Sequence, residues 1–366
     1  MNEIHEIDTL EDYIDRGRDL RGCVIQGLDL GRVHHSWNEA RVEGAVFLGC
    51  EFRRKGLQAE LIERGAMIFP RFRDLPYMPY RPTLYTREEL GKGDLDRRIF
   101  DHFVAKGRSD ADLFEALSQR LHDHAIDDAL VDLLEGRSDG SGEKKRVVAI
   151  MGGHGTGRSD PYFEKVARIA RELTRRGYFI ASGGGPGMME ATNFGAYLAE
   201  VSDPQFDAAL KSLRAAEVYT EPGYVEAAKR VVAQHPDGCA SLAIPTWFYG
   251  HEPSNQFSTH IAKYFSNSIR EDGLLAIAKH GVIFAPGSAG TVQEIFMDAT
   301  QNHYGTFEHV SPMVFLGLDH YIRKTRLWPT IQLLAEGKQY QQLLAITDEV
   351  DEVVREISAY KLMPFA

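Results

Sequence analysis

The chain has 366 residues, of which 43% are hydrophobic and 26% charged, with a formal net charge of −11. This composition is typical of a soluble protein of about two domains, and its apolar runs are too short for a membrane-spanning helix. The acidic balance, without a large cluster of lysine and arginine, disfavours nucleic acid as a partner. A small phosphorylated ligand remains compatible, because backbone amides bind phosphate without net positive charge.

The N-terminal segment and the cysteines together predict a cytoplasmic location. The acidic start, MNEIHEIDTLEDYIDRG, lacks the apolar centre of a signal peptide. Three cysteines, Cys23, Cys50 and Cys239, lie too far apart for a disulfide framework or a metal site. The histidines show no metal-ligand spacing either.

Residues 1–140 are expected to form a smaller mixed domain. Two tracts repeat apolar or small residues every five positions, which resembles pentapeptide-repeat sequence and its square β-solenoid. These residues are Leu20, Ile25 and Leu30 in the first tract, and Val42, Phe47 and Phe52, with Ala40, Ala45 and Cys50, in the second. Two short tracts are few for a solenoid, and two ordinary hairpin strands explain them as well. A helix over 109–136 follows, with Ser109 or Asp110 as its N-cap.

A polar stretch rich in glycine and serine, EGRSDGSGEKKR at 135–146, predicts a linker and a boundary at residue 140. In the domain 141–366, apolar strand patterns then alternate with helical patterns. Strands are predicted over 146–151, 178–182, 240–246, 282–286, 313–317 and 343–347. Helices are predicted over 160–177, 204–216, 222–234, 266–281, 291–305, 321–337 and 348–360, the first with Asp160 as N-cap and Gly177 as stop. The alternation predicts an α/β fold, a doubly wound, Rossmann-like parallel sheet that binds ligands at the carboxyl ends of its strands.

Three glycine-rich segments follow predicted strands: GGHGTGRSD at 152–160, SGGGPGMME at 182–190 and PGSAGTVQE at 286–294. None matches the phosphate loop GxxxxGK[ST], or the dinucleotide motif GxGxxG with an acidic residue about 20 positions later. A single glycine-rich turn is explained by backbone conformation alone, because glycine permits positive φ, and it does not by itself indicate a ligand. Three that each lead into a helix would bring several helix N-termini to one crevice, which suits an anion. We therefore expect a phosphate-containing ligand.

The last two segments together resemble the LOG (Lonely Guy) family, once misnamed lysine decarboxylases, whose members carry GGGxxGxM and PGGxGTxxE stretches. The matching residues are Gly183, Gly184, Gly185, Gly187 and Met188, and then Pro286, Gly287, Gly290, Thr291 and Glu294. Ser288 replaces the family's second glycine, and because serine disfavours positive φ it predicts a reshaped loop. GGH at 152–154 and EPSN at 252–255 are more similar to the bacterial pyrimidine/purine 5′-nucleotide nucleosidase branch. The resemblance covers residues 145–340.

The resemblance implies hydrolysis of nucleoside 5′-monophosphates to free base and ribose 5-phosphate, without metal or organic cofactor, by a homodimer or higher homo-oligomer. It also implies a catalytic pair, Glu294 and Arg270. A carboxylate near the anomeric carbon can stabilise an oxocarbenium-like sugar and orient water. A guanidinium can bind phosphate bidentately or hold the glutamate in position, while the glycine-loop amides anchor the 5′-phosphate.

Further candidates surround these residues. We expect substrate contacts from Gly153, His154 and Asn255, and a hydroxyl-binding role for Glu190. The structural alternatives are equally simple. Thr291 and Glu294 have the spacing of a capping box, and Glu190 would favour a helix start by its charge alone. Arg270 would then be an ordinary helix-surface arginine.

The main functional alternative is a non-catalytic nucleotide-binding protein, a sensor or carrier with the same fold. A lysine decarboxylase is disfavoured, because no Ser-x-His-Lys-type site for pyridoxal phosphate stands out. No sequence marker distinguishes a purine, a pyrimidine or an N6-modified adenine as the base.

Overall fold

The protein's structure, a computed structural model, describes residues 2–17, 19–34, 36–138 and 140–365. Contacts divide the chain into two compact units. The first comprises the chain up to Thr83 together with Val104–Ala129, and the second comprises Leu84–Phe103 and the chain from Leu130 onward. Division into two domains at residue 140 stays a prediction, and Asp139 of the predicted linker lies outside the described residues.

The first unit contains four strands that pair in parallel, in chain order. They are β1 (Asn2–Ile4), β2 (Cys23–Gln26), β3 (Val46–Leu48) and β4 (Met67–Phe69), with helix α1 (Ile7–Asp15) after β1 and α2 (Leu57–Glu63) after β3. Most of the residues at five-residue spacing are buried in its core, with Ile25 paired to Phe47 across β2 and β3. The hairpin interpretation is wrong, because the strands of a hairpin run antiparallel. The parallel stack agrees with a solenoid.

The second unit contains a seven-stranded sheet in which all strands are parallel. Across the sheet the strands are β12 (Leu344–Thr347), β11 (Met313–Leu316), β9 (Val282–Phe284), β5 (Val147–Met151), β6 (Phe179–Ser182), β7 (Leu242–Ala243) and β8 (His260–Ile261). The strand order reverses at β5, so the predicted doubly wound α/β fold is confirmed. Strands β10 (His309–Val310) and β13 (Met363–Pro364) form a separate antiparallel pair.

Helices flank this sheet and supply the ends at which a ligand can bind. In chain order the remaining helices are α3 (Arg87–Gly91), α4 (Leu95–Ala105), α5 (Leu113–Leu134), α6 (Pro161–Arg175), α7 (Met188–Tyr197), α8 (Asp203–Leu213), α9 (Tyr224–Gln234), α10 (Asn267–Ile277), α11 (Ala289–Tyr304), α12 (Leu327–Ala335) and α13 (Val350–Ala359). Most of α5 belongs to the first unit and is not one of the helices that flank this sheet. Short 3₁₀ turns cover Leu30–Arg32, Lys92–Asp94, Arg108–Asp110 and Gln339–Leu343, and a π turn covers Asp319–Lys324. The predicted cap of α6 is confirmed, since the Asp160 side chain accepts a hydrogen bond from the Tyr162 amide at 2.8 Å.

Two predicted helices have different limits in the structure. Helix α5 begins after Asp112, whose side chain accepts a hydrogen bond from the Glu115 amide at 2.9 Å, so Ser109 and Asp110 are not its cap. The helix predicted over 321–337 is interrupted at Arg326, where φ is +58°. Left-handed backbone at a non-glycine residue ends helical hydrogen bonding, and the segment becomes a π turn followed by α12.

Candidate functional site

The three glycine-rich segments lie side by side, because they follow the adjacent strands β9, β5 and β6. Backbone hydrogen bonds link them. The Gly153 amide donates to the Pro286 carbonyl at 3.0 Å, and the Met188 amide donates to the Gly153 carbonyl at 3.1 Å. This is the point at which the strand order reverses, where doubly wound sheets bind their ligands.

A cavity of about 570 Å³ opens at these strand ends. That volume lies within the range of small-molecule sites. The predicted site residues that line it are Gly153, His154, Gly183, Gly184, Arg270, Ser288, Gly290, Thr291 and Glu294. The tertiary structure thus brings both members of the proposed catalytic pair together with parts of all three glycine-rich segments.

Two other predicted glycines allow close backbone approach beside the cavity. At Gly187 φ is +66°, and a Cβ would lie 2.5 Å from the Gly153 carbonyl oxygen. A Cβ on Gly287 would lie 2.1 Å from Thr291 Oγ1. Met188, 1% exposed, packs beneath them against Gly152. Gly185 and Gly187 are not among the residues that line the cavity.

Glu190 lies outside the cavity in a buried ion pair. Its carboxylate accepts hydrogen bonds from Arg158 Nε at 2.8 Å and Nη2 at 2.5 Å. The Tyr224 hydroxyl donates to the same carboxylate at 2.6 Å, and the Arg158 guanidinium lies 3.5 Å from the centre of the Tyr224 ring. Both carboxylate oxygens therefore already have partners, and the contacts of Glu190 anchor α7 to the chain around it.

Asn255 is also buried, next to the glycine-rich segment 182–190 and outside the cavity lining. Its Nδ2 donates to Asn193 Oδ1 at 3.0 Å, and Asn193 in turn accepts from the Ser182 hydroxyl at 2.6 Å. The Gly184 amide donates to the same hydroxyl at 3.0 Å. Asn255 therefore supports the loop through a chain of hydrogen bonds.

The start of α11 differs from the capping-box prediction. Its N-cap is Ser288, whose carbonyl accepts from the Val292 amide at 3.0 Å, so the helix begins before Thr291 and the Thr291–Glu294 pair is not a capping box. Ser288 has φ −116°, a value open to any residue, so the backbone there does not require the positive φ that serine disfavours, and a reshaped loop stays a prediction. The Ser288 side chain makes no cap hydrogen bond, and the first turn of α11 faces the cavity.

Arg270 lies between two buried carboxylates. Its Nη1 is 3.6 Å from Glu294 Oε1, and its Nη2 is 3.8 Å from Glu271 Oε1. Neither distance is that of a hydrogen bond, and Arg270 Nε and Nη1 are buried without a hydrogen-bond partner among the described residues. The interpretation of Arg270 as a surface arginine is wrong, since the residue is only 9% exposed.

The Glu294 carboxyl titrates near neutrality. Burial raises its pKa to about 7; Arg270 lowers it, and the nearby Glu271 charge raises it further. A carboxyl that is partly ionised at pH 7 can take up or release a proton under ordinary conditions. Burial and neighbouring charge together produce a candidate acid–base group at the cavity wall.

Sequence reasoning missed several cavity residues. Glu271 follows Arg270 directly in the chain, so its closeness to that residue was available from the sequence. Lys263 and Tyr249 lie in a region that the sequence left unassigned. Asp96, which pairs with Lys263 at 2.7 Å, comes from far along the chain, and no local pattern indicates that contact.

The described part of the chain contains no group of three or more histidine, cysteine, aspartate or glutamate residues arranged to hold a metal ion. Nor does any helix within the described ranges have the length and hydrophobicity needed to cross a membrane.

No protein-family model matches this chain, and no curated protein sequence matches it. Among solved structures, it is similar to a molybdenum cofactor carrier protein from Chlamydomonas reinhardtii, with 12% identity and a TM-score of 0.37 over 59% of this chain and 100% of that one. It is similar to the molybdenum cofactor binding protein from the phototrophic bacterium Rippkaea orientalis, with 12% identity and a TM-score of 0.37 over 59% and 97% of the two chains. Identities this low leave the ligand of this chain to be inferred from its own residues.

Proposed function

We propose that the protein hydrolyses the N-glycosidic bond of nucleoside 5′-monophosphates. The observation that carries the proposal is the placement of Glu294 and Arg270, 3.6 Å apart, in a cavity that also contains the uncapped first turn of α11. A helix N-terminus binds phosphate through its free amides and its dipole. The carboxylate one turn further along the same helix would then face the sugar.

The reaction needs a group that stabilises positive charge on the sugar. As the bond between C1′ and the base nitrogen breaks, C1′ develops oxocarbenium character, which the Glu294 carboxylate stabilises. The electron pair of the broken C1′–N bond leaves with the base. Water adds its oxygen to C1′ and gives one proton to Glu294, and that proton then passes to the departing base nitrogen, which regenerates the carboxylate. The products are the free base and ribose 5-phosphate, so atoms and charge balance without a redox step.

Arg270 supports this chemistry in two ways. Its positive charge favours the ionised form of Glu294 against the effect of burial. Its Nε and Nη1, which have no hydrogen-bond partner among the described residues, are donors of the type that bind a phosphate or sugar oxygen. Buried N–H donors without hydrogen bonds are costly, and a ligand that supplies acceptors to these two nitrogens offsets that cost.

The test is release of free base. The protein is incubated separately with AMP, GMP, CMP, UMP and an N6-modified AMP, and the products are separated by chromatography. We expect free base and ribose 5-phosphate from at least one of them, with turnover lost in Glu294→Gln and kept in Glu336→Gln, an exposed carboxylate outside the cavity. Binding without any base release would refute the hydrolase and leave the alternative, a nucleotide-binding protein.

The proposal includes a homodimer, as the resemblance to the LOG family implies. Sedimentation equilibrium of the full chain tests this part separately, and a monomer at micromolar concentration would contradict it.

A further inference from the structure

A second polar cluster lines the same cavity and has no role in the proposed chemistry. We call it the Asp96 cluster; it consists of Asp96, Trp247, His251, Ser254 and Lys263. Asp96 lies on α4, within the segment Leu84–Phe103 that belongs to the second compact unit. Of the five residues, His251, Ser254 and Lys263 line the cavity.

Asp96 holds the cluster together. Its Oδ1 accepts from the Trp247 indole at 2.8 Å and pairs with Lys263 Nζ at 2.7 Å. Its Oδ2 accepts from the Ser254 hydroxyl at 2.9 Å. Burial raises the pKa of this carboxyl, whereas the Lys263 charge and the hydrogen bonds from Trp247 and Ser254 lower it. The lowering effects are the larger, so the pKa lies below its usual value. Asp96 therefore stays ionised and keeps its neighbours fixed.

Lys263 is an unusual residue for a cavity wall, since it is only 3% exposed. Its ammonium group has three N–H donors, and its ion-pair partner among the described residues is Asp96. Lys263 thus has donor capacity beyond the ion pair.

Ser254 offers a hydrogen-bond acceptor, whereas Lys263 offers donors. Its hydroxyl donates its one proton to Asp96 Oδ2, which leaves the oxygen lone pairs as acceptors. Because Lys263 and Ser254 are bound to the two oxygens of one carboxylate, a donor and an acceptor stand next to each other at the cavity wall.

We propose that the Asp96 cluster is the base-binding subsite and that it selects bases with a lactam edge, a ring N–H beside a carbonyl. This inference rests on the proposed function. Lys263 donates to the carbonyl oxygen, and the Ser254 oxygen accepts from the ring N–H. Guanine, hypoxanthine and uracil have this edge. Adenine presents an amino donor and an unprotonated ring nitrogen, the reverse pattern, so its amino group would face the Lys263 ammonium.

The expected discrimination is substantial, because a site built to hydrogen-bond a ligand leaves buried polar groups unpaired when the wrong ligand enters. A hydrogen bond to a charged group corresponds to a preference of about tenfold or more. Lactam nucleotides should therefore bind at least about tenfold more tightly than AMP.

Binding is measured by calorimetry in Glu294→Gln protein, so that turnover does not consume the ligand. GMP, IMP and UMP are compared with AMP, first in that background alone and then with Lys263→Met added. Since Lys263→Met leaves the Asp96 carboxylate without its cation, a second variant combines Lys263→Met with Asp96→Asn, and thermal melts report on folding. The matched control is Lys229→Met, an exposed lysine on α9 outside the cavity.

A lactam preference that falls to within about threefold in the folded double variant, and persists in Lys229→Met, supports the inference. Equal binding of AMP and GMP, or a preference that survives loss of Lys263, overturns it. Hydrolysis that favours AMP overturns the subsite assignment and leaves the proposed function standing. Failure of every nucleotide to bind overturns both.

Discussion

Two of the three glycine-rich segments, 182–190 and 286–294, follow strands on either side of β5, and each leads into a helix with a glutamate in its first turns. We call 182–190 the first glycine loop and 286–294 the second. In the first loop several polar groups are already paired: the Gly184 amide donates to Ser182, the Met188 amide donates to Gly153, and Arg158 donates to Glu190. In the second loop, α11 starts without a side-chain cap, and Glu294 faces Arg270 at 3.6 Å without a hydrogen bond.

The difference lies in the position of each arginine. Arg158 contacts Glu190 through two hydrogen bonds and satisfies it, whereas Arg270 remains at a distance that leaves both partners available to a ligand. Similar glycine patterns therefore serve different purposes. One loop forms a hydrogen-bonded part of the cavity wall, and the other carries the proposed chemistry.

The largest effect should come from removing the carboxylate of the second loop. Glu294→Gln should lower turnover about 10²- to 10⁴-fold, because the acid–base group is lost, while nucleotide affinity changes little. Steady-state kinetics and calorimetry on the same preparation separate the two quantities. If Glu294→Gln retained its turnover, the second loop would not carry the chemistry, and the two loops would not differ in function.

The matching experiment on the first loop should affect stability. Arg158→Met leaves the buried Glu190 carboxylate without its cation, and we expect a loss of about 3–5 kcal/mol in the free energy of unfolding. Denaturant titration measures it against Arg230→Met, an exposed arginine on α9. A loss below about 1 kcal/mol would show that the ion pair does not hold this loop.

Alanine substitutions should distinguish the glycines of the two loops. Gly187→Ala puts a Cβ 2.5 Å from a carbonyl oxygen at φ +66°, and should cost about 1–3 kcal/mol. Around Gly290 a Cβ would meet nothing within 4 Å among the described residues, so Gly290→Ala should change stability by less than about 1 kcal/mol. Thermal denaturation measures both, and equal losses would contradict the assignment of Gly187 to close packing.

Stability should depend on pH through Glu294. Its folded-state pKa of about 7 lies above the ordinary 4.5, so the folded protein keeps a proton that the unfolded chain releases. The retained proton stabilises the folded state relative to the charged, buried carboxylate. This stabilisation is fully present below pH 4.5 and is lost as the pH rises through 7. Relative to Glu294→Gln, the wild type should therefore lose on the order of 1–3 kcal/mol between pH 5 and 8. A difference that does not change with pH would mean that Glu294 is ionised throughout.

The smallest effect is expected at Ser288, which replaces the second glycine of the LOG-family stretch PGGxGTxxE. Ser288 has an ordinary φ and no side-chain cap bond, so Ser288→Gly should change stability by only a few tenths of a kcal/mol. Turnover should stay within about twofold, since the loop needs no glycine there. A large gain in activity would indicate that serine constrains the loop.

By itself, the sequence determined the alternation of strands and helices, the cap of α6 by Asp160, and the three glycine-rich strand ends. These follow from local patterns, since burial on both faces makes β5 an unbroken apolar run and a helix start needs a cap. The pairing of Glu294 with Arg270 was within reach only through resemblance to a family.

Tertiary structure decided which glycine loop is open and which charges meet. Glu190 and Glu294 look alike in sequence, and only packing assigns Arg158 to one and leaves Arg270 apart from the other. The same holds for Asp96, whose partner Lys263 is distant along the chain. Hydrogen bonds and ion pairs between distant segments cannot be predicted from a periodic pattern in the sequence. They depend on how the elements pack and not on the spacing of residues within one element.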